Sequence, residues 1–155
     1  MLIRKLVAGE ELKLRRVFYS AVHTHAQGFY STEQLNAWAP CDFDAEHWIK
    51  KMNSLRPYVV ECDGRILAYA DLQETGLIAH FFVAGEAGKR GIGTELMRLL
   101  IHEASRLGLG EVHAFVSRSA EAFFAKHGFT VEERRTVSVG GVPLTHARMS
   151  KVLQG

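Results

Sequence analysis

Apolar positions along the chain follow two periods, and the changes of period mark out the elements. Residues 2–6 alternate, as a short strand does. Over residues 10–25, Leu14, Val17, Phe18, Ala21 and Val22 recur at helical spacing. Ser31 followed by Gln34 has the capping-box pattern and opens a short helix through Trp38, which Pro40 stops. Asp44 is an N-cap for a third helix carrying Trp48, Ile49 and Met52, and Arg56-Pro57 ends it. The period then becomes two. Residues 58–62 and 65–72 flank Asp63-Gly64, a pair that tolerates the positive φ of a hairpin turn. Residues 77–83 are apolar almost throughout, as in a strand buried on both faces.

A glycine-rich loop follows, from Gly85 to Gly93, and feeds a helix with Leu96, Leu99, Leu100, Ala104 and Leu107 on one face, ended by Gly108. Residues 111–116 read as a strand, and Ser119 as the cap of a helix running to Lys126. Residues 130–139 and 143–153 are strands joined at Gly140-Gly141. The strand–loop–helix–strand unit in the middle is a right-handed crossover, so its two strands are parallel, while the flanking hairpins are antiparallel. The expectation is a mixed α/β (α+β) fold: one seven-stranded, mostly antiparallel sheet with helices on both faces.

Composition narrows the function classes. A chain of 155 residues, 47% hydrophobic, supports one domain over residues 1–155. Nineteen Lys and Arg against seventeen Asp and Glu exclude a polyanion coat and an acidic disordered tail, and the cations are dispersed, so no nucleic-acid partner is expected. No apolar run nears the roughly 18 residues that span a bilayer, so no membrane partner is expected. Two cysteines and no signal-like start fit a reducing, cytoplasmic setting. Eight histidines show no zinc spacing, so no metal is expected.

The chemistry sits in the loop. Four of the 14 glycines fall between Gly85 and Gly93, beside Lys89 and Arg90, just before a helix start. Close backbone approach, free helix N–H groups and two cations make a phosphate or pyrophosphate site. The Walker spacing fails because Arg90 follows Gly88-Lys89, and the dinucleotide fingerprint fails because Leu96 stands at its third glycine.

What remains, Gly88-Lys89-Arg90-Gly91-Ile92-Gly93, resembles the coenzyme A loop of the GNAT N-acetyltransferase superfamily, written Gln/Arg-x-x-Gly-x-Gly/Ala. A second segment, Ser117 to Phe129, is similar to that family's Asn-x-x-Ala-x-x-x-Tyr-x-x-x-Gly-Phe stretch, with Ala120, Gly128 and Phe129 in register. The resemblance covers about residues 59–152 and a compatible N-terminal helical region.

The resemblance implies splayed, parallel fourth and fifth strands with the pantetheine arm of acetyl-CoA between them. Phe82 and Val83 would meet the arm through their backbones. Gly88, Lys89, Arg90, Gly91, Ile92, Gly93 and Thr94 would hold the pyrophosphate, and Ser117, Ala120, Phe123 and Phe124 would complete the cofactor site. Tyr30, Trp38 and His146 would wall the acceptor pocket, Tyr30 and His146 also being candidates for proton transfer. The implied reaction is direct attack of a small-molecule or peptide amine on the thioester. Dimers are common in the superfamily, which makes a homodimer an open expectation.

This chain departs from the pattern at the reacting groups. Gly88 replaces Gln/Arg, and Phe124 replaces a thiolate-protonating tyrosine with a ring that has no proton to give. Ser117 stands at the Asn position, as a proton donor or as a turn serine. Ala79 and Leu77 occupy the usual base positions. His80 has a suitable unperturbed pKa of about 6.5, but a regular strand sends it to the face opposite Ala79 unless a bulge re-aims it. The alternative to an enzyme is a non-catalytic CoA-binding or sensing domain of the same fold.

Overall fold

The computed structural model describes residues 1–154. Strand β1 (Leu2–Lys5) leads into helix α1 (Glu11–His25), which buries the predicted stripe from Leu14 to Val22. Helix α2 (Thr32–Trp38) starts on a complete capping box, with Gln34 N donating to Ser31 Oγ at 3.1 Å and Ser31 N to Gln34 Oε1 at 2.8 Å. Helix α3 (Ala45–Leu55) starts on Asp44, whose carboxylate accepts from His47 N, and ends at Arg56 in the left-handed region.

Strands β2 (Tyr58–Cys62) and β3 (Arg65–Ala70) form the expected hairpin, with Asp63 and Gly64 at φ 50° and 78°. The stretch 77–83, expected as one strand, is two: β4 (Leu77–Ile78) and β5 (Phe81–Val83). Beyond lie α4 (Ile92–Arg106), β6 (Glu111–Ser117), α5 (Glu121–Lys126), β7 (Thr130–Val139) and β8 (Val142–Val152).

The eight strands form two four-stranded sheets, ordered β1-β2-β3-β5 and β4-β6-β8-β7. This corrects the expectation of a single seven-stranded sheet. β4 pairs parallel with β6 at Leu77↔His113 and Ile78↔Ala114, whereas β5 pairs antiparallel with β3. The chain therefore changes sheets at Ala79-His80, and the two sheets splay apart beyond that point.

The break has a physical cause in Asp71. Its buried carboxylate accepts from His80 N at 2.6 Å through one oxygen and from Ala79 N at 3.2 Å through the other. These bonds replace the ladder partners that the two amides lose at the step. Every residue of β3 from Ile66 to Ala70 is buried, so both of its faces are covered, and α1 and α4 both pack against it. One continuous hydrophobic cluster joins the helices to both sheets. Among the described residues no helix is long and apolar enough to cross a membrane.

Ser119 does not cap α5. The residue at the cap position is Ala120, which offers no side-chain acceptor, and Ser119 Oγ instead hydrogen-bonds Ser117 Oγ at 2.9 Å.

Candidate active site

The splay opens two adjoining cavities. The first, about 360 Å³, lies between the end of α1, β5 and the start of α5, with Val83, Ala120, Phe123 and Phe124 in its walls. The second, about 340 Å³, is lined by Tyr30, His80 and His146 together with residues of α1 and α3. Trp38, Phe82 and Ser117 border both. The structure thus brings the residues expected around the cofactor arm and those expected around the acceptor to two sides of one shared wall.

The backbone edge of β5 has a fixed polarity. His80 O accepts from Asp71 N, and Ala84 N donates to Leu67 O, so alternate residues point their polar groups at β3. Phe82, between them in register with Tyr69, is of that set. Its backbone is committed to the sheet, and the part it offers both cavities is its ring. Phe81 and Val83 turn their N–H and C=O groups toward the gap. Val83 O already has a partner there, His25 Nε2 at 3.1 Å.

After β5 a 3-10 turn (Gly85–Ala87) leads through Gly88, Lys89 and Arg90 to Gly91, which caps α4 at φ 76° without a side-chain acceptor. The first-turn N–H groups at Ile92, Gly93 and Thr94 are therefore not capped by a side chain, and they stand at the positive end of the helix dipole. Lys89 and Arg90 are exposed and form no ion pair among the described residues. Gly93 is closely packed: a Cβ there would lie 3.3 Å from the Phe123 ring, which would have to give by a few tenths of an ångström. At Gly88 a Cβ would meet His25 Cε1 at 2.8 Å. The volume that a longer side chain would enter at position 88 is already taken by an imidazole from α1.

His80 keeps the parity of Phe82 in β5, and the break before it leaves Ala79 and His80 bordering the same cavity rather than opposite faces of one strand. The break at Ala79-His80 lets its ring line the second cavity, among Phe18, Trp48, Tyr69 and Phe82 at centroid distances of 5.4–6.1 Å. Burial, with Lys51 adding to it, holds the ring neutral and lowers its pKa to about 3. Tyr69 OH lies 2.9 Å from His80 Nδ1 and is buried with no other partner, so its proton belongs in that bond and the ring proton on Nε2. In this tautomer Nε2 is a hydrogen-bond donor only, and the one basic lone pair of the ring, on Nδ1, is taken by the Tyr69 hydroxyl.

The Tyr30 hydroxyl is fully used, donating to Thr145 O at 2.7 Å and accepting from Arg118 N at 2.9 Å. Tyr30 is a wall residue that ties the helical region to β8, with no free proton to relay. His146 sits against Phe115, its Nε2 is buried without a partner, and burial followed by Arg135 lowers its pKa. Phe124 is buried against Phe81, Phe123 and Phe129. Among the described residues no three His, Cys, Asp or Glu side chains gather into a metal-binding group.

Sequence reasoning missed Asp71, Tyr69, His25 and Arg15. A signal for Asp71 exists, since it is a carboxylate inside the apolar run 66–72. The other three carry no linear signal, because each meets its partner only through tertiary packing.

Comparison with known proteins agrees with this geometry. The sequence model of the acetyltransferase (GNAT) domain matches residues 26–153. An uncharacterized N-acetyltransferase of Escherichia coli (strain K12), YafP, is 27% identical over 147 residues, 95% of this chain and 93% of that protein. The crystal structure of a GCN5-related N-acetyltransferase from Rhodopseudomonas palustris superposes with a TM-score of 0.93 at 25% identity, over 98% of this chain and 95% of that one. The PaiA N-acetyltransferase of Thermoplasma acidophilum, crystallised with coenzyme A, shares the fold with a TM-score of 0.72 at 20% identity, over 97% of this chain and 98% of that one. Splayed sheets, a helix start without a side-chain cap beside two free cations, and a family match over most of the length lead to one assignment: the chain belongs to the GNAT family of N-acetyltransferases.

Proposed function

We propose that this enzyme moves the acetyl group of acetyl-CoA to a primary amine of a small molecule or peptide by direct attack. The observation that carries the reading is the wall shared by the two cavities, at Trp38, Phe82 and Ser117. A thioester reaching that wall through one cavity meets an amine arriving through the other. The Thermoplasma relative, crystallised with coenzyme A, supports the choice of cosubstrate.

In this reading the pyrophosphate rests on the backbone from Gly88 to Thr94, with Lys89 and Arg90 adding charge. The pantetheine arm pairs with the gap-facing backbone of Phe81 and Val83, and Ala120, Phe123 and Phe124 pack along it. One of those N–H groups polarises the thioester carbonyl as charge develops on its oxygen. His80 orients the acceptor by donating from Nε2, and solvent takes the amine proton. Ser117, at the wall, passes a proton to the departing thiolate and regains one from solvent, which has taken the amine proton.

A second reading, a CoA-binding sensor without catalysis, is favoured by Phe124, which has no hydroxyl, and by the weak basicity of His80. Thiol release separates the two. Under the enzyme reading, acetyl-CoA binds in calorimetry and one or more amines from a broad panel accelerate release. Binding without acceleration by any amine supports the sensor, and the absence of binding at tens of micromolar overturns both. Gly91→Val with Gly93→Val is expected to abolish binding under either, through strain at Gly91 and the Phe123 contact at Gly93.

A further inference from the structure

The basic side chains lining the second cavity are Arg15, His47, Lys51, His80 and His146, with no Asp or Glu beside them. Neither Arg15 nor Lys51 forms an ion pair among the described residues. Arg15 is held in place without a counter-ion. Its Nη2 donates to Pro40 O at 2.7 Å, and its guanidinium lies 4.1 Å from the centroid of Phe43, 5.0 Å from Trp48 and 5.1 Å from Phe18. Its Nε is buried with no hydrogen-bond partner. A half-buried cation beside aromatic faces, with its Nε donor buried and unspent, is matched best by a planar anion brought by a ligand.

We infer that the acceptor is a small primary amine that carries a carboxylate on an apolar or aromatic body. This rests on the transferase reading of the same cavity. The carboxylate faces Arg15 and Lys51. The body lies along Phe18, whose ring is 4.9 Å from that of Phe82, and the amine reaches the Phe82–Ser117 wall. Polyamines and lysine side chains of basic peptides are excluded, because an acceptor with a second cation needs a carboxylate that the cavity does not supply. The same cations disfavour an ammonium at the wall, so the amine enters its reactive neutral form without a strong general base. That accounts for an acetyltransferase whose cavity histidine is so weak a base.

The test compares matched pairs as acceptors: phenylalanine against phenethylamine, and para-(aminomethyl)benzoate against benzylamine, with spermidine as the dication control. The carboxylate member of at least one pair is expected to exceed its partner by about tenfold or more in kcat/KM. That ratio is expected to collapse in Lys51→Met, on the exposed face of α3, and in Arg15→Met. Turnover that is equal or faster with the partners lacking the carboxylate, or with spermidine, overturns the inference and leaves the transferase reading intact. Thermal shifts with N-acetylphenylalanine and its amide give a readout that needs no turnover. A larger Tm rise with the carboxylate, lost in Lys51→Met, supports the anion site even where no amine accelerates thiol release and the transferase reading fails. Equal shifts with the two ligands overturn it.

Discussion

At the scale of single residues, two histidines change the expected chemistry in opposite senses. His25 fills the space beside Gly88 and holds the Val83 carbonyl, so the small residue in the loop and the large one on α1 belong together. Gly88→Gln is therefore expected to weaken acetyl-CoA binding, and Gly88→Gln with His25→Ala to restore it. Calorimetric Kd values for the two singles and the double are expected to show a non-additivity of about 0.5–3 kcal/mol, as for residues in contact. His80 carries a stability consequence. Its folded pKa of about 3 lies below the ordinary value of 6.5. Between those limits the unfolded chain binds a proton that the folded chain refuses, so stability is full above pH 6.5 and falls as pH drops toward 3. From pH 7 to pH 5 the loss from this one group is about 2 kcal/mol, and urea midpoints of the native protein and His80→Leu measure it as the difference between their pH slopes. The lowered pKa values of His127 and His146 act in the same direction in both proteins.

At the scale of elements, the step between β4 and β5 is the feature that makes a site out of a sheet, and Asp71 holds it. Its two oxygens each accept one amide, and Gln73 Nε2 donates to the second at 2.7 Å. Asp71→Asn presents an NH₂ group to one of those amides, leaving a buried donor unpaired. It is expected to cost about 1–3 kcal/mol in urea unfolding. This step also marks where the sequence stops being legible. The helices, both hairpins, the crossover and the glycine-rich loop before α4 follow from period, caps and glycines, because those signals are local. The run 77–83 contains no local break, since the carboxylate that breaks it belongs to the preceding strand. The cap of α5 was misplaced for a similar reason, as the Ser119 hydroxyl has a closer use with Ser117. In the cavities, the aromatic positions Phe82, Phe123 and Phe124 are readable from the family pattern. Arg15 and His25 were hidden on a helix whose apolar face dominates its pattern.

At the scale of the whole molecule, the two four-stranded sheets are joined at the chain step Ala79-His80, just past the short parallel ladder by which β4 holds to the second sheet, Leu77–Ile78 against His113–Ala114. Beyond it, β5 and the rest of β6 face each other across cavities and phenyl rings rather than hydrogen bonds. Such a junction opens more easily than either sheet, because sub-global opening follows the regions with the fewest paired amides. A ligand lying in the gap joins the halves and is counted twice. It stabilises the fold by mass action, about 2.7 kcal/mol at a concentration one hundred times its Kd, and it pairs amides that otherwise face the gap. Register decides which ones: Phe81 and Val83 face the gap, and Phe82 is already bonded to β3. Hydrogen exchange is therefore expected to slow on addition of acetyl-CoA at Phe81 and Val83 and to change least at Phe82. Uniform slowing across the three would mean that the ligand stabilises the fold without lying along β5. No change at any of them would place acetyl-CoA outside the splay, whatever its effect on Tm.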